Sequence, residues 1–298
     1  GYSYNLPQIN PFTGQATQIV KMENNQWAVI VGNGYNSSGG KAVLYVLFMA
    51  GGEDGTWTVG TDYIKLVADS GTGNGLSTPT PFDKNGNGLV DVIYAGDIKG
   101  NLWKFDVSSS TPSSWNVAIG GLPLFVSGTT KPIISPPAVS FHPKKGQLIM
   151  FGTGKYLETA DTTNTSTQSI YGLWDLNTPA TITAGMLVQQ VMTDATVRTA
   201  TQNQVTYSDT IKGWYITLPV SGERITGVPM LEDGILLFTT IVPSASPCDF
   251  GGRGFANALD FLTGSMLAFP AFDINRNRVL SLDDGLSAGV EIGFSVGG

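Results

Sequence analysis

The chain has 298 residues, of which 41% are hydrophobic and 13% are charged, against a charged share of about 25% in ordinary soluble domains. Its 16 basic and 23 acidic residues give a net charge of −7, so a nucleic-acid-binding surface is not expected. The longest apolar run, from Ala42 to Ala50, has nine residues, whereas a membrane-spanning helix needs about 20. A single cysteine and a single histidine exclude a cysteine-based zinc site and His-rich metal chemistry.

Turn-forming residues are frequent along the whole chain. It contains 38 glycines and 16 prolines, and this content favours short strands and turns over long helices. The first group of strand-like segments is the least regular and consists, in chain order, of ATQIVKM, QWAVIVGNGY and AVLYVLFM. These segments are rich in β-branched and aromatic residues and are separated by turn residues, which predicts paired strands.

Residues 75–107 contain a clearer version of the same order. A Ser/Thr-Pro strand, a loop, an apolar strand ending in glycine, a turn and a strand ending in aspartate follow one another in GLSTPTPFDKNGNGLVDVIYAGDIKGNLWKFDV. Residues 134–176 repeat this order around a polar insertion, and a further copy begins at Glu223. Insertions into a repeat of about 40 to 50 residues explain the wider spacing of the copies. The four copies begin near Thr17, Thr78, Pro136 and Gly227.

Each copy holds three or four short strands that cannot bury both faces alone. Polarity alternates with a period of two in places such as Trp103–Asp106, as it does in strands. Side-by-side stacking predicts an all-β fold, a modified β-propeller of four-stranded blades that fills residues 1–298 as a single domain. We expect a complete small ring or part of a larger one, with Ser265–Gly298 supplying outer strands or the closing strand. A β-sandwich is the alternative, but its turns would recur about every 8 to 12 residues without a longer period.

The segment Asp83–Asp91 has the spacing of a calcium loop. Oxygen-bearing side chains stand at its positions 1, 3, 5 and 9, and a glycine, Gly88, stands at position 6. Ca²⁺ prefers about 6 to 8 hard oxygen ligands, and a tight loop with alternate side chains turned inward supplies them. The predicted ligands are the side chains of Asp83, Asn85, Asn87 and Asp91 and the backbone carbonyl of Leu89.

This loop differs from a helical EF-hand. Position 12 is Tyr94 in place of the bidentate glutamate, and the residues around it have the pattern of a strand. The predicted site therefore joins two strands. An ordinary Asn-Gly turn is the alternative interpretation. Two carboxylates balance the ion but add little further attraction, so we expect a dissociation constant of about 10⁻⁴ M.

A second segment, Asp273–Asp284, has oxygen-bearing side chains at positions 1, 3, 5, 9 and 12. Its position 6 is Arg278, which is disfavoured in a left-handed backbone and brings a cation to the loop. A second metal site and an Asx-rich loop are both open interpretations of this segment. The candidate ligands are Asp273, Asn275, Asn277, Ser281 and Asp284.

The remaining candidate residues do not belong to a catalytic or metal-binding motif that the sequence alone can define. His142 is expected to be a loop histidine and not a general base. Cys248 is expected either to be a buried small side chain or to form a disulfide with a cysteine outside this chain. Most aromatic residues are expected in the core. The candidates for an aromatic recognition surface are Trp57, Trp115 and Tyr156.

A series of short motifs resembles one family. In chain order they are DKNGNGLVDVIYAGDIKGNLWKFDV, FGTGKYLE, GWYITLP, GERITGVP, IVPSASPCDFGG and ANALDFLTG. Their order and spacing from Asp83 to about Gly264 are similar to those of the C-terminal domain of the PilY/PilC family of type IV pilus tip-associated adhesins. The resemblance implies a modified β-propeller at the C-terminal end of a large secreted protein, whose variable N-terminal part is missing here.

The resemblance also implies a function. It places the protein at the pilus tip, in adhesion, pilus biogenesis and the control of extension against retraction. We therefore expect a non-enzymatic, extracellular protein associated with the outer membrane, with the minor pilins of the tip complex as partners. The family's calcium loop falls on Asp83–Asp91, where Asn87 stands in place of a frequent aspartate, and this loss of charge should weaken binding.

Two other functions fit parts of the pattern. The repeats also resemble those of pyrroloquinoline-quinone dehydrogenases, which are considerably larger enzymes. Such enzymes often place a vicinal disulfide against the cofactor, and a single cysteine cannot form one. A calcium-dependent carbohydrate or matrix binder unrelated to pili is the other alternative. Likeness of fold does not decide function among these classes.

Overall fold

The computed structural model describes residues 8–9, 16–17, 19–244 and 252–292, the first two ranges by their backbone alone. Within these ranges the regular structure is almost entirely strand, as the repeats predict. The chain divides into two compact units. Each unit is described by itself below, and the single domain over residues 1–298 stays a prediction.

The first unit comprises residues 1–141 and 176–182. Its strands are β1 (Gln8–Ile9), β2 (Ala16–Thr17), β3 (Ile19–Lys21), β4 (Trp27–Gly32), β5 (Ala42–Phe48), β6 (Tyr63–Asp69), β7 (Thr80–Phe82), β8 (Val92–Gly96), β9 (Asn101–Asp106), β10 (Asn116–Val117), β11 (Phe125–Val126) and β12 (Ala138–Phe141). One sheet has the order β3-β4-β5-β6, and another has the order β10-β9-β8-β7 with β11 also paired to β9. β1 pairs with β2, and short helical turns occupy Pro112–Ser114 and Ala118–Gly121.

The second unit comprises residues 142–175 and 183–298. Its strands are β13 (Gln147–Gly152), β14 (Ser169–Asp175), β15 (Leu187–Val191), β16 (Val197–Arg198), β17 (Gly213–Thr217), β18 (Met230–Glu232), β19 (Ile235–Val242), β20 (Arg253–Asp260) and β21 (Gly289–Ile292). The strands β13-β14-β17-β15 are neighbours in one sheet, and β16-β21-β20-β19-β18 form another. The 3₁₀ turns are Thr159–Thr163, Ala184–Met186 and Leu282–Asp284.

The strands follow the four predicted copies of the repeat. The first copy forms β3 to β6, the copy at residues 75–107 forms β7 to β9, and the copy at residues 134–176 contains β12 to β14. The copy that begins at Glu223 forms β18 to β20. The repeats do not predict that β15 runs parallel to β17, or that β16 pairs with β21. β21 comes from the closing segment Ser265–Gly298 and also pairs with β20.

The two larger sheets of the first unit share one apolar core. Its members include Ile30 and Leu44 from the first sheet and Ile93 and Phe105 from the second. All four side chains are buried. Removing apolar surface from water contributes about 25 cal/mol for each Å² and is the main favourable contribution to folding. This shared core therefore holds the two sheets together.

The alternation expected over Trp103–Asp106 does not appear as alternating burial. Trp103, Lys104 and Phe105 are all buried, because β9 lies inside its sheet and both of its faces are covered. The ammonium of Lys104 donates to Oδ1 of Asn177 at 2.7 Å. The polar residue of this strand, Lys104, is therefore buried and hydrogen-bonded and does not face solvent.

Gly264 in the second unit fits against the ring of Trp214. Its φ is +66°, and a Cβ placed on it would lie 2.2 Å from Cε3 of Trp214. The tryptophan is fully buried, and its Nε1 donates to the carbonyl of Phe261 at 3.0 Å. The ring cannot move away without losing this bond. Both the backbone angle and the available space therefore require glycine at this position.

We expect Gly264→Ala to lower the free energy of unfolding by about 2 to 4 kcal/mol, through backbone strain together with overpacking. Gly185→Ala is the matched control, because a Cβ at Gly185 meets no atom within 4 Å. The control should change the stability by less than about 0.5 kcal/mol. Urea unfolding followed by tryptophan fluorescence measures both variants, and equal effects would contradict the tight fit at Trp214.

Candidate metal centre

The loop from Asp83 to Asp91 connects β7 to β8 in the first unit. Gly86 and Gly88 have φ angles of 78° and 84°, in the left-handed region that glycine enters without a Cβ clash. The sharp turn predicted at Gly88 is therefore present. The loop joins two antiparallel strands, as its sequence indicates, and is not part of a helix-loop-helix unit.

Asp83 organises the first half of this loop. Its Oδ1 accepts the backbone N–H groups of Asn85 at 3.1 Å and Gly86 at 2.7 Å, and its Oδ2 accepts that of Gly88 at 2.6 Å. The Oδ1 atoms of Asn85 and Asn87 each accept the backbone N–H two residues further on, at 3.0 and 2.8 Å. These bonds are those of successive Asx turns, and they fix the side chains at positions 1, 3 and 5 of the loop.

Asp91 lies at the base of the loop and is only 1% exposed. Its Oδ2 accepts the backbone N–H of Lys84 at 2.8 Å, and its Oδ1 accepts Nδ2 of Asn85 at 3.0 Å. Burial is the main cause that raises the pKa of Asp91, and the nearby carboxyl group of Glu23 adds to it. The hydrogen bond and the charge of Lys84 oppose this shift without cancelling it. The hydrogen bonds and the positive charge near Asp91, at position 9, therefore do not fully offset the cost of burying its negative charge.

Asp97, in the same repeat, is a buried carboxylate whose oxygens accept four hydrogen bonds. It is completely buried and accepts the side chains of Asn74 and Trp103 at 2.8 and 2.7 Å. It also accepts the backbone N–H and Nδ2 of Asn101, at 2.9 and 2.8 Å. Four donors thus surround Asp97, whereas the oxygens of Asp91 accept the two described above.

A carboxylate from outside the loop lies against it. The backbone N–H of Val90 donates to the carbonyl of Lys21 at 2.9 Å, and Met22 forms a parallel bridge with Val90. This pairing places the turn after β3 beside the loop, where Oε1 of Glu23 accepts Nδ2 of Asn87 at 3.2 Å. Glu23 and Asn87 are 64 positions apart in the chain, so no spacing rule in the sequence could indicate this neighbour.

The donor set of the loop suits calcium. Carboxylate, amide and backbone carbonyl oxygens are the hard ligands that Ca²⁺ prefers. Across the described ranges, no three His, Cys, Asp or Glu side chains form a group that could hold a metal ion. Carboxylates alone therefore do not make a site here. The amide oxygens of Asn85 and Asn87 and the carbonyl of Leu89 would have to complete the shell with Asp83 and Asp91.

The second candidate loop, Asp273–Asp284 in the second unit, has the same backbone frame. The backbone N–H of Arg278 donates to Asp273 at 2.8 Å, and those of Asn277 and Val279 donate to Oδ1 of Asn275 and Asn277 at 3.0 and 2.7 Å, as the groups at the same positions of the first loop do. Arg276 and Arg278 have φ angles of 59° and 66°, where the first loop has glycines. Two exposed arginines therefore occupy strained positions at the turn of this loop.

The carboxylate that closes the second loop, Asp284, accepts hydrogen bonds from the backbone. Asp284 accepts the N–H groups of Ser281 at 2.9 Å and Asn275 at 3.1 Å. These bonds, with that of Ser281 the strongest, hold the pKa of Asp284 below its usual value. The described contacts of this loop are those of an Asx-rich turn, and its metal-site interpretation stays untested.

The three aromatic surface candidates differ in exposure. Trp57 and Tyr156 have 55% and 46% of their surface accessible. Trp115 is buried, because its ring packs against Phe48 in the core of the first unit. The prediction of a surface role for Trp115 is therefore wrong, while Trp57 and Tyr156 remain surface residues without an assigned partner.

The fold and the loop together define a class of protein: an all-β protein built from repeated groups of antiparallel strands, with an Asx-rich loop between two strands of one repeat. The family described as the PilY1 beta-propeller domain matches residues 9–208. The chain belongs to this family. The predicted β-propeller fold and the resemblance to the pilus-associated family are therefore confirmed.

The family includes relatives that align with most of this chain. Type IV pilus biogenesis factor PilY1 of Pseudomonas aeruginosa is 33% identical over 94% of this chain and 27% of that protein. A type IV pilus biogenesis factor PilY1 homolog of Xylella fastidiosa is 34% identical over 83% of this chain and 18% of that protein. The chain thus spans about a quarter or less of the length of these curated relatives.

A solved structure supports the same relation. The crystal structure of the Pseudomonas aeruginosa PilY1 C-terminal domain matches this chain with a TM-score of 0.79 and 30% sequence identity. The match covers 98% of this chain and 67% of that chain. The similarity in three dimensions therefore extends over nearly the whole chain.

Two remaining expectations concern a membrane span and the cysteine. No helix in the described ranges is both long and apolar enough to cross a membrane. Cys248 lies outside the described residues, and the expectation for its side chain stays a prediction.

The histidine of this chain lies outside the strands and helices, as expected of a loop histidine, and its side chain is buried in the second unit. His142 is 6% exposed, and its ring centroid lies 4.7 Å from that of Trp174 and 4.4 Å from that of Tyr207. Its Nδ1 accepts the backbone N–H of Lys144 at 3.2 Å. Burial, and after it the charge of Lys144, lower the pKa of His142. The residue is part of an aromatic cluster.

We expect the wild-type protein to lose stability relative to His142→Phe as the pH falls below about 6.5. The unfolded chain takes up a proton at the ordinary histidine pKa, whereas the folded protein resists it because its pKa is lowered. Unfolding therefore takes up a proton in this window, and acid favours it. Phenylalanine retains an aromatic ring against Trp174 and Tyr207.

Urea unfolding of both proteins between about pH 8 and pH 5 measures this difference. The difference in free energy of unfolding should be constant at the alkaline end and change below the histidine pKa. Parallel curves over the whole range would contradict the lowered pKa of His142.

Proposed function

We propose that this chain is a calcium-binding domain of a type IV pilus biogenesis factor that acts at the pilus tip without catalysis of its own. Family membership supports the pilus role, because relatives that align over most of the chain are named type IV pilus biogenesis factors. The proposed tasks are pilus biogenesis, control of extension against retraction, and surface attachment. The proposed location is the pilus tip or the outer membrane surface, with the minor pilins as partners.

The observation that carries the calcium part of the proposal is the burial of Asp91. A carboxylate removed from water needs an opposite charge or a full set of hydrogen bonds. Asp91 is almost fully buried, accepts two described hydrogen bonds and has a second carboxyl group beside it. A bound Ca²⁺ would supply the missing charge, and the other predicted ligands of the loop would complete its shell.

The proposed role of the ion is that of a switch. Without calcium, the carboxylates in and beside the loop repel one another, whereas the ion holds them together. An ion shifts the binding of a partner only if the partner has different affinities for the two states. An ordered and a disordered loop are a simple pair of such states. Residues 85–88 are exposed, so a partner can reach the part of the loop that the ion would order.

We expect one calcium ion to bind to the wild-type protein and none to bind to Asp91→Ala. The substitution removes the buried ligand and one of the two formal charges of the loop, on which affinity depends. Isothermal titration calorimetry measures the binding, and melting curves of the calcium-free proteins show that both are folded. Equal calcium binding by the two proteins would overturn the assignment.

Asp284→Ala is the matched control for this experiment. Asp284 closes the second loop, which has the same backbone frame as the first. We expect this variant to keep the calcium affinity of the wild-type protein. Loss of binding in Asp284→Ala but not in Asp91→Ala would show that the ion binds to the second loop instead.

In bacteria, Asp83→Ala combined with Asp91→Ala in the full-length protein should leave the amount of protein normal but alter surface piliation or twitching. The loop of this variant cannot adopt its calcium-bound order. Immunoblots, surface pilin assays and motility zones at several calcium concentrations measure the effect. Asp273→Ala combined with Asp284→Ala is the control. If stable Asp83→Ala/Asp91→Ala protein supports normal piliation, twitching and adhesion, the ion is only a local structural support.

A further inference from the structure

We propose that the outer edge of β6 binds an extended segment of a partner polypeptide, which adds a strand to the first sheet. β6 (Tyr63–Asp69) has seven residues and stands at the end of the sheet order β3-β4-β5-β6. The proposal does not depend on calcium, because β6 contains none of the candidate ligands of the loop between β7 and β8. It assigns a contact surface to the first unit and specifies the chemistry of the segment that this surface fits.

The register of the hairpin shows which backbone groups of β6 point away from β5. The N–H of Phe48 donates to the carbonyl of Asp62 at 3.0 Å, and opposed residues of an antiparallel pair alternate between hydrogen-bonded and non-hydrogen-bonded positions. Along this register, Lys65 and Val67 fall at non-hydrogen-bonded positions, and the bulge of the pair comes only after Val67. The N–H and C=O groups of Lys65 and Val67 therefore point outward, where no described residue bonds to them.

The other edge strands of the described sheets are shorter or protected. Only two to four residues form β3, β7, β10, β11, β12, β16 and β18, and β7 has Pro81 at its centre. β15 has five residues, but the carbonyl of Val191 accepts the N–H of Thr201 at 3.0 Å. The carbonyl of Gln189 accepts Nδ2 of Asn203 at 2.7 Å. Such protection is usual because unpaired backbone groups at a sheet edge bind other chains, and β6 has neither a proline nor a described covering segment.

The side chains along this edge specify the segment that would bind. Lys65 is exposed, no ion pair among the described residues includes it, and its ammonium lies 6.0 Å from the centroid of the Tyr45 ring. Tyr63 and Val67 flank Lys65 on the same face of the sheet, because alternate residues of a strand share a face. An acidic side chain between two apolar ones complements this row when it lies opposite. The occupant is therefore an extended segment with an apolar, an acidic and an apolar residue at alternate positions.

A second copy of this chain fits the edge less well. Antiparallel pairing of two β6 strands about Lys65 places the two ammonium groups opposite each other, and pairing about Leu66 places them on a diagonal. Like charges at opposed positions are destabilising. A segment with an acidic residue gains attraction at the same place, and main-chain hydrogen bonds to the outward groups add to it in the usual manner of strand addition.

The probe for this site is the synthetic peptide TTVTDTVTT, which has an aspartate between two valines on one side of an extended chain. NMR titration of the whole isotope-labelled chain measures binding through the amide signals of Lys65 and Val67. We expect the peptide to bind, and the control peptide TTVTKTVTT to bind about fivefold more weakly. Lys65→Glu should reverse this preference because it exchanges the charge on the sheet. No binding of TTVTDTVTT by the wild-type protein, or equal binding of both peptides, would overturn the proposal.

Val67→Pro tests the backbone part of the contact. It removes an outward N–H, and proline is tolerated where the N–H of an edge strand faces solvent. Val67→Thr is the matched control, because it keeps the N–H and a β-branched side chain. We expect Val67→Pro to weaken peptide binding about tenfold and Val67→Thr to change it less than about twofold. If Val67→Pro does not fold, a peptide methylated at its aspartate and valine nitrogens replaces it, and undiminished binding of that peptide would contradict strand addition.

Sedimentation equilibrium separates the other occupants of the edge. We expect the wild-type protein and Lys65→Thr to remain monomers at the edge of β6. Dimers of the wild-type protein that are lost in Val67→Pro would show that a second copy occupies this edge, and would overturn the assignment of an acidic segment. A lysine on an edge strand can also serve only to prevent pairing. Self-association of Lys65→Thr without peptide binding by the wild-type protein would establish that role and contradict the proposal.

Discussion

Taking a carboxylate out of water costs several kcal/mol unless hydrogen bonds or an opposite charge replace the lost hydration, and the turns of this chain bury several aspartates. Asp97 is matched by four donors. Asp161 in the second unit is matched by Lys155 and two backbone N–H groups, which keep its pKa low although burial acts to raise it. Asp91 has fewer donors and a second carboxyl group beside it. Hydrogen-bond donors and an ammonium group thus offset the cost of burial at Asp97 and Asp161, which are structural turns. The cost is less fully offset at Asp91, which is the candidate ion site.

The two Asx-rich loops share a backbone frame but differ in the pKa shift of the carboxylate that closes each loop. Both loops use an aspartate at position 1 to accept the N–H groups that follow it. In the second loop, Arg276 and Arg278 stand at the turn, and the closing acid Asp284 is satisfied by backbone donors. In the first loop, glycines stand at the turn, and burial, with the charge of Glu23 after it, raises the pKa of Asp91. The pKa of the closing carboxyl group is thus raised in the first loop and lowered in the second, on similar backbone frames.

Sequence predicts those parts of this structure in which the interacting residues are close together in the chain. Hairpins such as β7 to β9 and the left-handed turn at Gly88 are of this kind. The parallel pair of β15 and β17, the pairing of β16 with β21, and the approach of Glu23 to Asn87 are not. Burial of Trp115 and His142 likewise depends on neighbours from distant segments. No local spacing encodes these contacts, because tertiary packing alone brings the residues together.

The base of the Asp83–Asp91 loop is fixed by the core and not by the loop's own hydrogen bonds. The backbone N–H of Val90 donates to the carbonyl of Lys21 at 2.9 Å, and Met22 and Val90 are both buried in the apolar core that the two sheets of the first unit share. Residues 85–88, in contrast, are exposed. Movement of the base would disrupt the apolar core, whereas movement of the exposed residues would break only hydrogen bonds within the loop, so the base is held more firmly than the tip.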